Sequence, residues 1–196
     1  MNIEGQINKE KLEEAAKLII EAVGDDVNRP GLKETPKRFA KMIDEVLEGM
    51  KYTNEQIGNM FKKEFEIGSD DLVTMSDIDV FSFCEHHIAL MYDMKVSVAY
   101  LPKNGKVLGL SKIARIADMC AKRLQLQEKI GMDIAECIKI ATGSEDVMVV
   151  IEGKHACMTT RGIKKVNSVT RTSTTTGSFQ TDRSLEERAY ILLGLK

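Results

Sequence analysis

The chain has 196 residues, with 28 Lys and Arg against 30 Asp and Glu for a formal charge of −2. That balance gives no global field to recruit nucleic acid or an anionic membrane, so a polyanionic ligand would need a local patch. A chain this long buries roughly 70% of its unfolded surface and needs no disulfides to build a core. The longest nearly apolar run, Ala189 to Leu195, falls far short of the ~20 residues that cross a bilayer. No segment reads as a signal peptide, and the expectation is a soluble, intracellular, cytoplasmic protein. Its four cysteines are then thiols or metal ligands.

Residues 9 to 23 place Leu12, Ala16, Ile19, Ile20 and Val23 on one helical face. After the Asn28-Arg29-Pro30-Gly31 break a second helix is expected, with Thr35 as its cap and Pro36 at its first position. Its stripe runs Phe39, Met42, Ile43, Val46, Leu47 and Met50. A third, short helix is expected from Asn54 to Phe61. Residues 1–67 therefore read as an N-terminal helical segment, followed by a second domain over 68–196.

Beyond Gly68 the period changes to two. Ile78 and Val80 alternate with acids and lead into Cys84, and Met94, Val96, Val98 and Tyr100 form a second such strand. The two should pair antiparallel around the Cys84-Glu85-His86-His87 segment. A turn at Pro102–Gly105 precedes a helix capped by Ser111 with Ile113, Ile116, Ala117, Cys120 and Leu124 inward. Gln127 to Ala141 makes a second helix; Cys120 and Cys137 are read as core on this pair. Strands over Val147–Glu152 and Asn167–Thr176 follow, then a short helix capped by Ser184. The order ββααββ predicts an α+β fold, an antiparallel four-stranded sheet with a helix pair on one face.

All three histidines fall in two short segments, Cys84-Glu85-His86-His87 and His155-Ala156-Cys157, beside two of the four cysteines. Zinc takes thiolate sulfur and imidazole nitrogen, and a Cys-x-x-His on a bend can supply two tetrahedral corners. Alternate residues of an extended chain share a side, so His155 and Cys157 could present a second pair. Five side chains thus compete for at most four corners. A lone Cys-x-x-His is weak evidence, since free cysteine is a common buried residue; two such segments in a chain with no other histidine are much stronger.

Three further groups are weaker on their own. Ser111, Lys112 and Arg115 open a helix, where the backbone dipole and unpaired N–H groups favour an anion, although an ordinary Ser cap with two solvated cations is the simpler local reading. Arg161 is a further candidate donor. Gln127 and Glu128 start the next helix, where a carboxylate in a pocket could accept from an amidine-like N–H pair such as that of guanine; locally, a helix-start glutamate suffices. Lys164, Lys165 and Arg171 lack interleaved aromatics and read as a solvated face.

The chain resembles GTP cyclohydrolase I. The resemblance is carried by Glu34-Thr35-Pro36-Lys37-Arg38, Cys84-Glu85-His86-His87, Tyr100-Leu101-Pro102, Gly109-Leu110-Ser111-Lys112 with Arg115, Gln125-Leu126-Gln127-Glu128 and His155 through Gly162, in the family's order. It implies a tunnelling fold and a ring-shaped homodecamer with active sites at subunit interfaces, and no nucleic-acid or membrane partner. It also implies one Zn2+ per subunit on Cys84, His87 and Cys157, with His155 assigned to the N7 proton of GTP, His86 assisting, and Ser111 near the ribose and phosphates. Lys112, Arg115 and Arg161 would clamp the triphosphate while Gln127 and Glu128 read the guanine edge. The implied reaction converts GTP and water to 7,8-dihydroneopterin triphosphate and formate. Another tunnelling-fold enzyme acting on a pterin or purine, or a silent regulatory module, is the rival reading; the Cys/His/Cys set argues against the first, and the second has no reason to retain both spare histidines. Ala156, Thr160 and the Ile88-Ala89-Leu90 stretch depart from the usual pattern without touching a ligand position.

Overall fold

A computed structural model describes residues 6–195, so residues 1–5 of the expected N-terminal segment lie outside the described part. The chain divides into two compact units between Tyr52 and Thr53. The first holds α1 (Lys9–Ala22), α2 (Thr35–Val46) and a 3-10 turn at Glu48–Lys51. Ala16, Ile20, Ala40, Ile43 and Leu47 are buried in it, whereas Ile19 and Val23 are exposed on this single chain. Thr35 does not cap α2: the cap position is Glu34, in helical backbone geometry with no side-chain bond, and Pro36 fills the first turn. Hydrogen bonds from Lys51, and then Lys9, hold the Asp44 carboxyl below its ordinary range.

The second unit begins with α3 (Asn54–Met60), where Thr53 and Gln56 exchange the two bonds of a capping box. Next come β1 (Glu64–Glu66), β2 (Val73–Cys84), β3 (Ala89–Tyr100) and β4 (Lys106–Leu108). The helix pair is α4 (Leu110–Ala121) and α5 (Gln127–Thr142), separated by the two-residue β5 (Leu124–Gln125). The chain closes with β6 (Val147–His155), α6 (Ala156–Thr159), β7 (Thr170–Thr175) and α7 (Arg183–Leu192). The long strands β2, β3, β6 and β7 form the antiparallel sheet that the period-two stretches predict, and β5 adds a parallel edge beside Cys84. This is the α+β tunnelling-fold arrangement.

Alternation decides which face each strand buries. Ile78, Val80, Ser82 and Cys84 of β2, with Val147, Val149 and Ile151 of β6, face α4 and α5, whose Ile113, Ile116, Ile130, Ile134 and Ile138 are fully buried. Cys120 and Cys137 meet between those helices at 3.5 Å, and burial, then Cys137, pushes the Cys120 thiol well above its ordinary pKa. Ala99 and Met148 point the other way and pack with Phe179, Ala189 and Leu193 beneath α7. Two caps differ from expectation. Ser111 lies within the first turn of α4, whose cap position is Gly109 with no side-chain bond. On α7 the cap is Asp182, which accepts from the backbone N–H of Ser184 and Leu185, because its carboxylate stands in extended geometry ahead of the helix. Leu124 belongs to β5 rather than to the helix.

Candidate metal centre and active site

Cys84 ends β2 with its side chain inward, 5% exposed, because it continues the buried series from Ile78. A four-residue turn then carries the exposed His86 and His87 back into β3. That turn ends on Ile88 at φ 50°, a conformation costing a β-branched residue about 1–2 kcal/mol. Cys157 arrives from the far side of β3. It does not share an extended strand with His155, because the chain coils at Ala156 into α6, and Tyr92 Oη–H steadies that turn by donating to Thr159 Oγ1 at 3.1 Å.

The donor atoms of Cys84, His87 and Cys157 lie within 4.8 Å of one another. Tetrahedral zinc with bonds of about 2.3 Å to sulfur needs donor separations of about 3.8 Å, so a contraction of about 1 Å closes the group around an ion. Two sulfurs and one imidazole are a soft set that suits zinc over a hard cation. Burial, then the neighbouring Cys84, pushes the Cys157 thiol above its ordinary pKa, and a bound cation would act in the opposite sense.

The remaining site residues fall into three places. His86 Nδ1 stands 3.8 Å from Cys84 Sγ, beside the metal group. Arg161 Nη1 donates to His87 Nε2 at 2.8 Å, so a cation bound through that nitrogen must displace the guanidinium. His155, the last residue of β6, lies 3.0 Å from Gln127 Oε1 through its Nε2. Burial lowers the His155 pKa below the ordinary histidine value, opposed by the nearby Glu128. Glu128 itself is exposed on the single chain. Ser111, Lys112 and Arg115 open α4, and no hydrogen bond or ion pair among the described residues joins them to the Cys/His group.

Gln127 differs most from expectation. It is 1% exposed, and its Nε2 donates to Ile151 O, Thr170 O and Thr172 Oγ1 at 3.1, 3.1 and 3.3 Å. Its carboxamide is committed inside the fold, while the neighbouring Glu128 is exposed. Gly153 belongs to the same site, and an isolated glycine in a strand is a sequence signal of close approach; a Cβ there would sit 2.8 Å from Met94 Cγ and 3.3 Å from Gln127 Oε1. A groove of about 910 Å³ between β7 and α7, lined in part by Val150, Arg171, Tyr190 and Leu195, shares no residue with this site.

A tunnelling-fold unit that brings Cys84, His87 and Cys157 together as a group able to hold a metal ion defines the class of protein. The chain belongs to the GTP cyclohydrolase I family, whose model matches residues 12–193. It is 56% identical over 192 residues to GTP cyclohydrolase 1 of Ruminiclostridium cellulolyticum, covering 95% of this chain and 98% of the relative. It is 53% identical to the enzymes of that name from Clostridium botulinum strain Loch Maree and Clostridium acetobutylicum, each covering 95% of this chain and 97% of the relative. Among solved structures, an archaeosine synthase QueF-Like in the apo form is 23% identical with a TM-score of 0.45, covering 56% of this chain and 96% of that one. No helix among the described residues is long and apolar enough to cross a membrane.

Proposed function

We propose that this chain is a zinc-dependent GTP cyclohydrolase I that converts GTP and water to formate and 7,8-dihydroneopterin triphosphate, working in the cytoplasm at the head of a folate or related pterin pathway. The observation that carries this reading is the convergence of Cys84, His87 and Cys157 within 4.8 Å, in a chain similar along nearly its whole length to relatives of that name. Those three residues would hold one Zn2+ per subunit. A zinc ion held by Cys84, His87 and Cys157 would supply Lewis acidity, lowering the pKa of water from 15.7 to about 7 and so making a nucleophile for C8 of the base available at neutral pH.

The chain's own residues do the rest. His155 gives a proton to N7 as the imidazole ring of the base opens, the role for which histidine's pKa is suited, and His86 assists from beside Cys84. Ser111 lies by the ribose and phosphates. Lys112, Arg115 and Arg161 hold the triphosphate through charge-assisted bonds of about 1.5–3 kcal/mol each. The site is completed across subunits, in a homodecamer, with the catalytic residues supplied by the 68–196 domain.

Glu128 reads the base. Its carboxylate accepts from N1–H and the 2-amino group of guanine, whereas adenine offers an acceptor at N1 and no 2-amino group. The test is formate and fluorescent pterin formed from GTP by metal-assayed protein, with ATP and inosine triphosphate alongside. GTP should turn over, ATP should be negligible, and inosine triphosphate should bind more weakly by roughly the 1.5–3 kcal/mol of one charged bond, a gap that narrows in Glu128→Gln. GTP bound without formate release would leave a binding module instead. Equal affinity for GTP and inosine triphosphate would remove Glu128 from base reading.

A further inference from the structure

The contacts of Gln127 determine which way its carboxamide points. An amide nitrogen only donates, and this one faces two backbone carbonyls, of Ile151 and Thr170, and the Thr172 hydroxyl. Turning the amide over would set its oxygen against two carbonyl oxygens in a buried place, leaving acceptors without donors. The orientation is therefore fixed by partners, where amide nitrogen and oxygen are otherwise hard to tell apart. The oxygen that results, Oε1, stands 3.0 Å from His155 Nε2. Since an amide oxygen only accepts, Nε2 must carry a hydrogen.

Among the described residues the hydrogen bond of the His155 ring runs through Nε2, which leaves Nδ1 as the nitrogen open to another molecule. Gly153, two residues earlier on the same strand face, leaves space for the carboxamide, as a Cβ there would come within 3.3 Å of Oε1. Gln127 is held on the first turn of α5 and His155 on the last position of β6. Both are regular elements, so the contact depends on no loop.

We propose that Gln127 is a positioning residue: it holds His155 in the Nε2–H tautomer and orients the ring so that Nδ1 is the nitrogen left open to substrate. The proposal rests on the reading of His155 as the proton donor. In that step the Nδ1–H bond of the imidazolium breaks and an N–H bond forms at N7 of the base. The ring left behind is the neutral Nε2–H tautomer, already bonded to Oε1, so no reorientation accompanies the transfer. Without Oε1 the two neutral tautomers compete and the ring can rotate. A misplacement of about 1 Å at a reacting group can cost about 10²-fold.

The test uses the assembled, metal-loaded protein labelled with 15N-histidine. Only three histidine rings contribute, and His155→Asn identifies the signal by its loss. In neutral form, wild-type His155 should show a protonated Nε2 and an unprotonated Nδ1. Gln127→Met should lose that preference and lower kcat by about 10²-fold, with KM for GTP changed by less than about twofold and metal content unchanged. A wild-type His155 protonated at Nδ1 would overturn the proposal, and this holds even if Gln127→Met fails to assemble. So would a Gln127→Met protein with raised KM, wild-type kcat and an unaltered tautomer, the pattern of a base contact. If His155→Asn keeps more than about a tenth of turnover with its metal in place, the acid reading and the proton-exchange half of the proposal both fall, whereas the spectrum still tests the contact separately.

Discussion

Removing the Asp133 carboxylate should weaken the fold at the point that supports the metal hairpin. Asp133 is 2% exposed and accepts from Arg123 Nη1 at 2.8 Å, from Asn54 Nδ2 at 2.9 Å and from the Lys129 ammonium. Arg123 Nη1 also donates to Asn54 Oδ1 at 2.7 Å, and its side chain is 10% exposed. Breaking a buried pair by taking one partner costs about 3–5 kcal/mol, because a charge stays behind in a poor solvent. Lys129 is 52% exposed, so its arm is worth at most about 1 kcal/mol. In Asp133→Ala the thermal midpoint should therefore drop by roughly 6–20 °C, at 2–4 °C per kcal/mol for a chain of this size. Lys129→Ala should lower it by no more than about 4 °C. Combining Asp133→Leu with Arg123→Met removes both charges and should cost less than Asp133→Ala alone. The effect should reach the site, since the Arg123 carbonyl accepts from Ser82 Oγ–H and the next two residues pair with Phe83 and Cys84. Circular dichroism melts at equal protein concentration give the midpoints. If Asp133→Ala matches Lys129→Ala, the carboxylate is hydrated in solution and the burial argument fails.

Cys157→Ser should lose metal and turnover together while the fold persists, as read by metal analysis and circular dichroism; full metal occupancy would mean that Cys157 is not a ligand. His155→Ala should retain the metal and lose about 10²–10⁴-fold in turnover, the usual share of general acid catalysis, and loss of metal instead would show that the ligands are misassigned. Tyr100 is fully buried and its oxygen accepts from the Leu108 backbone N–H at 2.8 Å. Burial raises its pKa above 10. The folded chain thus holds that proton more tightly than the unfolded one, so Tyr100's contribution is intact below pH 10 and is lost as pH climbs through the folded value. Tyr100→Phe should cost about 1–3 kcal/mol at neutral pH by orphaning the Leu108 N–H, and should flatten the alkaline fall in stability. An unchanged alkaline slope in that variant would remove Tyr100 from the effect.

Period-two alternation from Ile78 onward was enough to put Cys84 inward at the end of β2, and the 3.6-residue stripe of α5 was enough to bury Ile130, Ile134, Cys137 and Ile138. Both signals are repeated over many residues, so a single exception does not spoil them. Features set by one or two residues were harder to read. Thr35, Ser111 and Ser184 are all good capping residues by type, yet each sits one or two places inside its helix, past the cap positions at Glu34, Gly109 and Asp182, of which only Asp182 makes a side-chain cap bond. The two-residue β5 has no periodicity to detect. The coil at Ala156 takes Cys157 out of the strand register assumed for it, and nothing in His155-Ala156-Cys157 alone distinguishes a strand from a strand that ends in a helical turn. The commitment of Gln127 to β6 and β7 depends on partners 24 to 45 residues away, beyond any local pattern.

Those long-range partners explain why two short Cys/His segments become one site. Met91 of β3 pairs with Ser82 on one side and with His155 on the other, so the three residues lie in one row across the sheet and share a face. At about 4.8 Å per strand, Ser82 and His155 stand roughly 10 Å apart, with Cys84 two residues further along the same face. Just before this row, both ladders of β3 shift register around Tyr92 and Asp93, and Asp93 takes φ 49°. A bulge of this kind bends a strand and increases its twist, and bulges concentrate beside active sites because they re-aim side chains. Here the bulge acts on both neighbours at once, turning the ends of β2 and β6 together. A slip of one residue in β6 would turn His155 to the opposite face, away from Gln127 and Cys84. The distance between the Cys/His group and His155 is thus set by the register of three strands, while the Cys-x-x-His spacing controls only the local pair.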